Sequence, residues 1–227
     1  MSRDVVVLSA VRSAIGTFGG SLAWIEPCEL AGIVMKESIA RSSVDPKEIN
    51  YVTVGTVIPT DSRFGYVSRV ASIQAGLPMD SIAMQVSRLC SSGLQAIVTT
   101  AQNIMLSDCD YGIGGGVEVM SRGTYMLPAM RSGARMGDAK AVDSMVATLN
   151  DPFGVGHMGI TAENVAAKWG ITREEQDAFA VSYTHLTLPT SDRRGAFQVA
   201  DRPDCSGDAQ GRCDIRYRRA LQTQDNA

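Results

Sequence analysis

Long apolar runs are missing from this chain of 227 residues. No stretch approaches the roughly 20 residues of a membrane-spanning helix, and Met1-Ser2-Arg3-Asp4 leads straight into the apolar residues 5–9 instead of into a signal peptide. The charges nearly cancel, to a formal -3, which leaves no electrostatic footprint for nucleic acid or an anionic membrane. A soluble cytoplasmic protein is expected. Cysteine is present but unpatterned: the five residues at 28, 90, 109, 205 and 213 are odd in number and irregular in spacing. They make neither a disulfide framework nor a zinc site, so no metal is expected. Phosphate-loop signatures are missing too. Gly114-Gly115-Gly116 sits in no GxGxxG or GxxxxGKS pattern, and its expected use is close backbone approach to a substrate or a neighbouring strand. Histidine is limited to His157 and His185.

What is there is an alternation of strand and helix patterns. Residues 5–10, 51–57, a stretch ending near Val86, and 110 onward into the glycine run read as strands. Residues 29–41, 67–75 and 91–106 read as helices, with Asp45-Pro46 as a breaker. That order predicts a layered α/β domain, and a hydrophobic content of 44% supplies one sizeable core. Between 121 and 159 the pattern fades into Gly, Met, Ser and Pro, a long excursion over the active face. Its methionines at 126, 130, 136, 145 and 158 are expected to act as adaptable core filler. A helix resumes over 161–169, and Thr172 with Glu175 makes a capping box for a helix over 174–181. The expected organisation is an α/β core over 1–120, a loop domain over 121–180 and a tail over 181–227.

The most informative stretch is Leu89-Cys90-Ser91-Ser92-Gly93-Leu94-Gln95-Ala96-Ile97. Residues 81–86 read as a short buried strand, while Leu94, Ile97, Val98, Ala101, Ile104 and Met105 recur at helical spacing. Cys90 therefore falls at a helix N-terminus, where unpaired N–H groups and the helix dipole favour the thiolate over the thiol. The same N–H groups could hold a developing oxyanion. On the residues alone, a buried structural cysteine is the competing reading. Ser91, directly after it, is expected to cap the helix. His157, after Phe153-Gly154-Val155-Gly156, reads on the residues alone either as a functional group or as a loop residue satisfying its own hydrogen bonds.

The last segment differs in kind. From Ser182 to Ala227 there is no Lys or Glu, while Arg and Asp abound and neither apolar period persists. Residues 181–190 resemble one reading frame of a transposon-based sequencing adapter. Residues 192–197 fit a genuine protein segment. Beyond them, Gln198-Val199-Ala200-Asp201-Arg202-Pro203 back-translates, at a one-nucleotide offset, to Lys-Ser-Gln-Ile-Val-Pro. The expectation is a non-native, frameshifted and disordered tail over 181–227, so His185, Cys205 and Cys213 receive no role.

Four blocks stand in order along residues 1–180: Arg12-Ser13-Ala14-Ile15-Gly16-Thr17-Phe18-Gly19-Gly20, residues 89–97, Gly114-Gly115-Gly116-Val117-Glu118-Val119-Met120-Ser121, and His157-Met158-Gly159-Ile160-Thr161-Ala162-Glu163-Asn164. With them the chain resembles the thiolases, acetyl-CoA acyltransferases of the β-ketothiolase type. The resemblance implies the N-terminal half of a thiolase-like layered α/β fold, with a mixed five-stranded sheet, helices and an excursion loop domain. It implies Cys90 as the acyl-thioester nucleophile of a reversible thiolytic cleavage of 3-ketoacyl-CoA, or Claisen condensation of acetyl-CoA. His157 and Met158 are implied to border the coenzyme A pocket. Coenzyme A and short acyl-CoA molecules are substrates in this reading, with no bound cofactor, no nucleic-acid or membrane partner, and a homo-oligomeric full-length parent. The family's activating His, second Cys and Asn lie in a C-terminal half, so this chain alone is expected to lack turnover and to be poorly stable, with a large apolar face in water. A ketoacyl-synthase-like condensing enzyme and a non-catalytic acyl-CoA-binding relative are the alternatives.

Overall fold

The computed structural model describes residues 3–187 and 196–201, with side chains up to Val181. In chain order the elements are β1 (Val5–Val11), α1 (Pro27–Ser42), β2 (Ile49–Gly55), α2 (Val67–Gln74), β3 (Ile82–Val86), α3 (Ser92–Met105), β4 (Tyr111–Gly116), β5 (Tyr125–Met126), β6 (Val142–Asp143), α4 (Ser144–Leu149), α5 (Met158–Trp169), α6 (Arg173–Thr187) and β7 (Ala196–Asp201). Local chemistry explains several boundaries. Pro27 opens α1, where its missing N–H costs nothing, and Glu29 and Arg41 complement the dipole at the two ends. The Thr172–Glu175 capping box forms as read, with Thr172 N–H donating to Glu175 Oε2 at 2.8 Å and Glu175 N–H to Thr172 Oγ1 at 3.2 Å.

A mixed five-stranded sheet runs in the order β1-β7-β4-β2-β3. β2 pairs in parallel with both β3 and β4, and β7 lies antiparallel between β1 and β4. Alternate side chains of β2 serve two cores, as a period of 2 requires. Val52 and Val54 join Met35, Ile39, Val67, Ala71 and Ile113 beneath α1 and α2. Tyr51 joins Ile104 and Cys109 on the α3 side.

The buried face of α3 follows the apolar stripe only in part, through Ile97, Ala101 and Ile104. Ser92, Ala96, Thr100 and Ile104 meet the sheet, while Leu94, Val98, Met105 and Leu106 remain exposed. The reason lies in the facing strand. A Cβ added at Gly112 would stand 2.6 Å from Thr100 Cγ2, and one at Gly114 would stand 2.7 Å from Ile97 Cα. These glycines bring α3 close onto β4, while a Cβ at Gly116 would also stand 3.2 Å from the Gly55 carbonyl of the neighbouring strand β2; so close an approach favours the small Ser92, Ala96 and Thr100 along most of the helix face.

Two stretches beyond residue 181 also depart from the expectation of an unstructured tail. α6 continues to Thr187, and β7 occupies the slot that joins β1 to the rest of the sheet. Ala196-Phe197-Gln198-Val199 is too short an alternation to read as a strand alone, but here it has ladder partners on both sides, pairing with β1 and β4. The core therefore extends past 1–120 by borrowing this strand. The other tail residues, with Cys205 and Cys213, lie outside the described residues.

The excursion differs as well. α5 buries none of its residues, and Met126, Met130, Met136 and Met158 are exposed, Met136 at 96%. Only Met145 of the five is half-buried, so the other four do not act as core filler. No helix among the described residues is long and apolar enough to cross a membrane.

Candidate functional site

β3 ends at Val86, and the chain turns sharply before α3 begins at Ser92. Four hydrogen bonds close that turn. Ser91 N–H donates to the Arg88 carbonyl at 3.2 Å and Ser92 N–H to the Leu89 carbonyl at 3.0 Å. Arg88 N–H donates to Ser92 Oγ at 2.8 Å, and the Ser92 hydroxyl donates to the Leu89 carbonyl at 2.6 Å. The turn forces Leu89 to φ 49°, a left-handed conformation that a leucine adopts only at a cost of about 1–2 kcal/mol. Cys90 follows immediately and is exposed. Strain of this kind, next to an exposed thiol, fits a functional position better than a structural one.

The tight turn changes two expectations. Ser91 occupies the N-cap position, yet its side chain makes no capping hydrogen bond; Ser92 Oγ closes the turn instead. The N–H groups of Ser91 and Ser92 are taken up by carbonyls, so neither of them is the donor to an oxyanion. Backbone contact seats that helix end. A Cβ at Gly55 would lie 2.3 Å from Ser92 C and 2.6 Å from Gly93 N, and one at Gly116 would lie 2.9 Å from Gly93 Cα.

Cys90 opens onto a cleft of about 550 Å³. Leu89, Ser92 and Gly93 form one side, Val57 and Ile58 after β2 another, and Thr148, Leu149 and Met158 from the excursion a third. Met158 thus lines the same cleft as Cys90. His157 is not among the residues lining this cleft. It caps α5, its Nδ1 accepting from Gly159 N–H at 3.0 Å, so the proton of its neutral ring sits on Nε2. His185 falls in the α6 backbone, with its side chain outside the described set.

Glu118, within the third motif block, also lines the cleft, a placement that no local pattern announces. It is the one ionisable side chain besides Cys90 among the described residues lining the cleft. Its carboxylate accepts from Val57 N–H at 2.9 Å, Ile58 N–H at 3.0 Å and the Thr56 hydroxyl at 3.4 Å. Although the residue as a whole is open to the cleft, desolvation pushes the carboxyl above its ordinary value, and these hydrogen bonds offset part of that rise. Glu118→Gln should cost about 1 kcal/mol, because an amide NH₂ would face a backbone N–H where an oxygen now accepts. The urea midpoint reads this. The pH dependence has a definite sign. A carboxyl whose value is raised on folding stabilises most at pH below its unfolded value, and that contribution fades as pH rises through the raised one. The wild-type advantage over the Gln variant from this source should therefore shrink across that window.

The three described cysteines separate cleanly. Cys28 and Cys109 are buried, whereas Cys90 is exposed. Burial raises the Cys28 thiol, with help from Asp61, and raises Cys109 to about 11, with Asp108 and Asp110 adding to it against Arg3. Brief treatment with iodoacetamide near neutral pH should label Cys90 and spare Cys28 and Cys109, as read by peptide mapping. Equal labelling of the three would contradict the burial pattern. Among the described residues, no group of three or more His, Cys, Asp or Glu could hold a metal ion.

Comparison with known proteins places this geometry in context. Residues 5–198 match the family model of the thiolase N-terminal domain. The beta-ketothiolase BktB of Cupriavidus necator is 49% identical over 198 residues, 87% of this chain and 50% of the relative. The acetyl-CoA acetyltransferase of Pseudomonas aeruginosa is 44% identical over 181 residues, 79% of this chain and 46% of the relative. Among solved structures, the Bacillus anthracis acetyl-CoA acetyltransferase superposes with a TM-score of 0.75 at 39% identity, covering 83% of this chain and 48% of that one. The human mitochondrial 3-ketoacyl-CoA thiolase in complex with CoA gives 0.77 at 30% identity, covering 84% and 50%. The chain spans about half the length of the curated relatives it matches.

Proposed function

The chain belongs to the thiolase family, and from that premise we propose that its own part of the chemistry is to accept an acyl group on Cys90. The deprotonated Sγ attacks the thioester carbonyl of an acyl-CoA. The bond from that carbon to the coenzyme sulfur breaks, coenzyme A leaves as a thiolate that takes up a proton, and a new thioester stands on Cys90. One thioester replaces another, so the step needs little driving force and splits a difficult carbon–carbon exchange into two stages. The observation that carries this reading is the exposed Cys90 on a strained turn at the head of α3, facing a cleft of about 550 Å³.

In the full-length parent the acyl group passes to the carbanion of acetyl-CoA, or, in reverse, a 3-ketoacyl-CoA is cleaved by coenzyme A. The resemblance assigns the His, Cys and Asn of that second stage to the other half of the parent. Coenzyme A and acyl-CoA are thus substrates, and Met158, with His157 capping the helix behind it, borders their path. The names of the matched acetyltransferases and the CoA-bound human relative support this substrate class. The parent works in the cytoplasm as a homo-oligomer. Residues 1–120 with β7 form its core, 121–180 its loop domain, and the remainder of 181–227 is not part of the native protein.

The test is stoichiometric. The chain is incubated with acetyl-CoA at mildly alkaline pH, and released coenzyme thiol is compared with acetyl found on the Cys90 peptide. Equal amounts, with the adduct sensitive to hydroxylamine, support the reading. An unmodified Cys90 overturns it.

A further inference from the structure

The segment that follows β4 divides two apolar spaces. On one side is the Cys90 cleft. On the other is a pocket of about 380 Å³ under the loop at 13–23, walled by Ile15, Phe18, Leu22 and Leu30. Both volumes fall within the range of small-molecule sites, about 300–1,000 Å³. Glu118 and Met120 line both spaces, so they form the partition between them.

The two residues differ as parts of a wall. Glu118 is tied down, its carboxylate held by Thr56, Val57 and Ile58. Met120 is 40% exposed and carries an unbranched thioether chain that changes shape readily. Glu118 is also the only charged side chain among the described residues lining the second pocket, and its oxygens are engaged elsewhere. The rest of the lining is mostly apolar, with the hydroxyls of Ser13, Thr17 and Ser121 among it, which suits a hydrocarbon occupant.

We propose that Met120 sets the acyl chain length accepted at Cys90. Lying across the partition, it confines the cleft to short acyl groups; when it is withdrawn or shortened, a longer linear acyl chain continues into the pocket under the 13–23 loop. The proposal rests on Cys90 being the acyl acceptor.

A competition experiment tests it. Acetyl-CoA and hexanoyl-CoA are offered together at equal concentration to the chain, and the two adducts on the Cys90 peptide are counted by mass spectrometry. Each variant's ratio is internally referenced, so partial loss of folded protein affects both adducts alike. Met120→Ala should raise the hexanoyl-to-acetyl ratio about tenfold, the scale set by burying roughly two further methylenes. The milder Met120→Val should raise it less, in the same direction. Adding Ala14→Phe, which fills the second pocket from its exposed loop, should return the Met120→Ala ratio to the wild-type value. An unchanged ratio in both Met120 variants overturns the proposal, as does a gain that survives Ala14→Phe. Absence of any acetyl on wild-type Cys90 would instead refute the acyl-acceptor reading beneath it.

Discussion

Changing Cys90 to alanine should remove acetyl transfer from acetyl-CoA to this chain, lowering hydroxylamine-sensitive adduct by roughly a thousandfold or more, the scale on which losing a covalent nucleophile acts. Access separates the thiols. Cys28 and Cys109 are thiols too, but they are buried, and burial holds both in the protonated form, with Cys109 at about 11. A thioester needs the thiolate, so neither can stand in. Cys90→Ser sharpens the result. A serine hydroxyl with no base beside it is a far weaker nucleophile, and any acyl group it did take would be an oxygen ester with a different sensitivity to hydroxylamine. Undiminished adduct in the alanine variant, mapped to another residue, would move the acceptor role away from Cys90.

Gly55→Ala should be among the most damaging single-methyl additions in the chain, costing about 3 kcal/mol or more by urea unfolding. The new Cβ would stand 2.3 Å from Ser92 C, 2.4 Å from Ser92 O and 2.6 Å from Gly93 N. Those atoms are backbone, not the movable end of a side chain, so relief requires the head of α3 to shift away from β2. Cys90 would shift with it. Acetyl uptake by whatever folded protein remains should then fall as well, which ties the stability of the sheet to the placement of Cys90. Gly65→Ala is the control, because nothing lies within 4 Å of its added methyl and its φ lies outside the positive range; a change within about 0.5 kcal/mol is expected there. If the two variants unfolded at the same urea concentration, the close seating of α3 on β2 would be wrong.

Both expectations start from features legible to different degrees in the sequence. The strand-to-helix handover at Cys90 could be read because a short apolar strand and a helix period flank it, and both signals depend on neighbours two to four residues apart. The Thr172–Glu175 box could be read for the same reason, as a reciprocal pair of hydrogen bonds inside one turn. The buried face of α3 was legible only in part. Ile97, Ala101 and Ile104 pack inward as their spacing suggests, but Leu94, Val98 and Met105 are exposed while the small Ser92, Ala96 and Thr100 are buried. The close approach of the β4 glycines to the helix decides that difference. Glu118 escaped notice because a lone acidic residue after a glycine run has no pattern; its meaning depends on the N–H groups of Val57 and Ile58, some sixty positions away in sequence.

What the sequence by itself determined is the order of the longer strands and helices of the core, the Thr172–Glu175 cap and the cysteine at the turn before α3, together with the four motif blocks that carry the family likeness. All of these are local or nearly so. Tertiary structure alone decided that β7 enters the sheet between β1 and β4, that Met158 reaches the Cys90 cleft while His157 caps α5 outside its lining, and that Met120 divides two apolar spaces. The physical reason is common to the three. A hydrogen-bonding edge, a cleft wall and a partition each come into being only when segments distant along the chain are brought together, and no local period encodes which partner arrives.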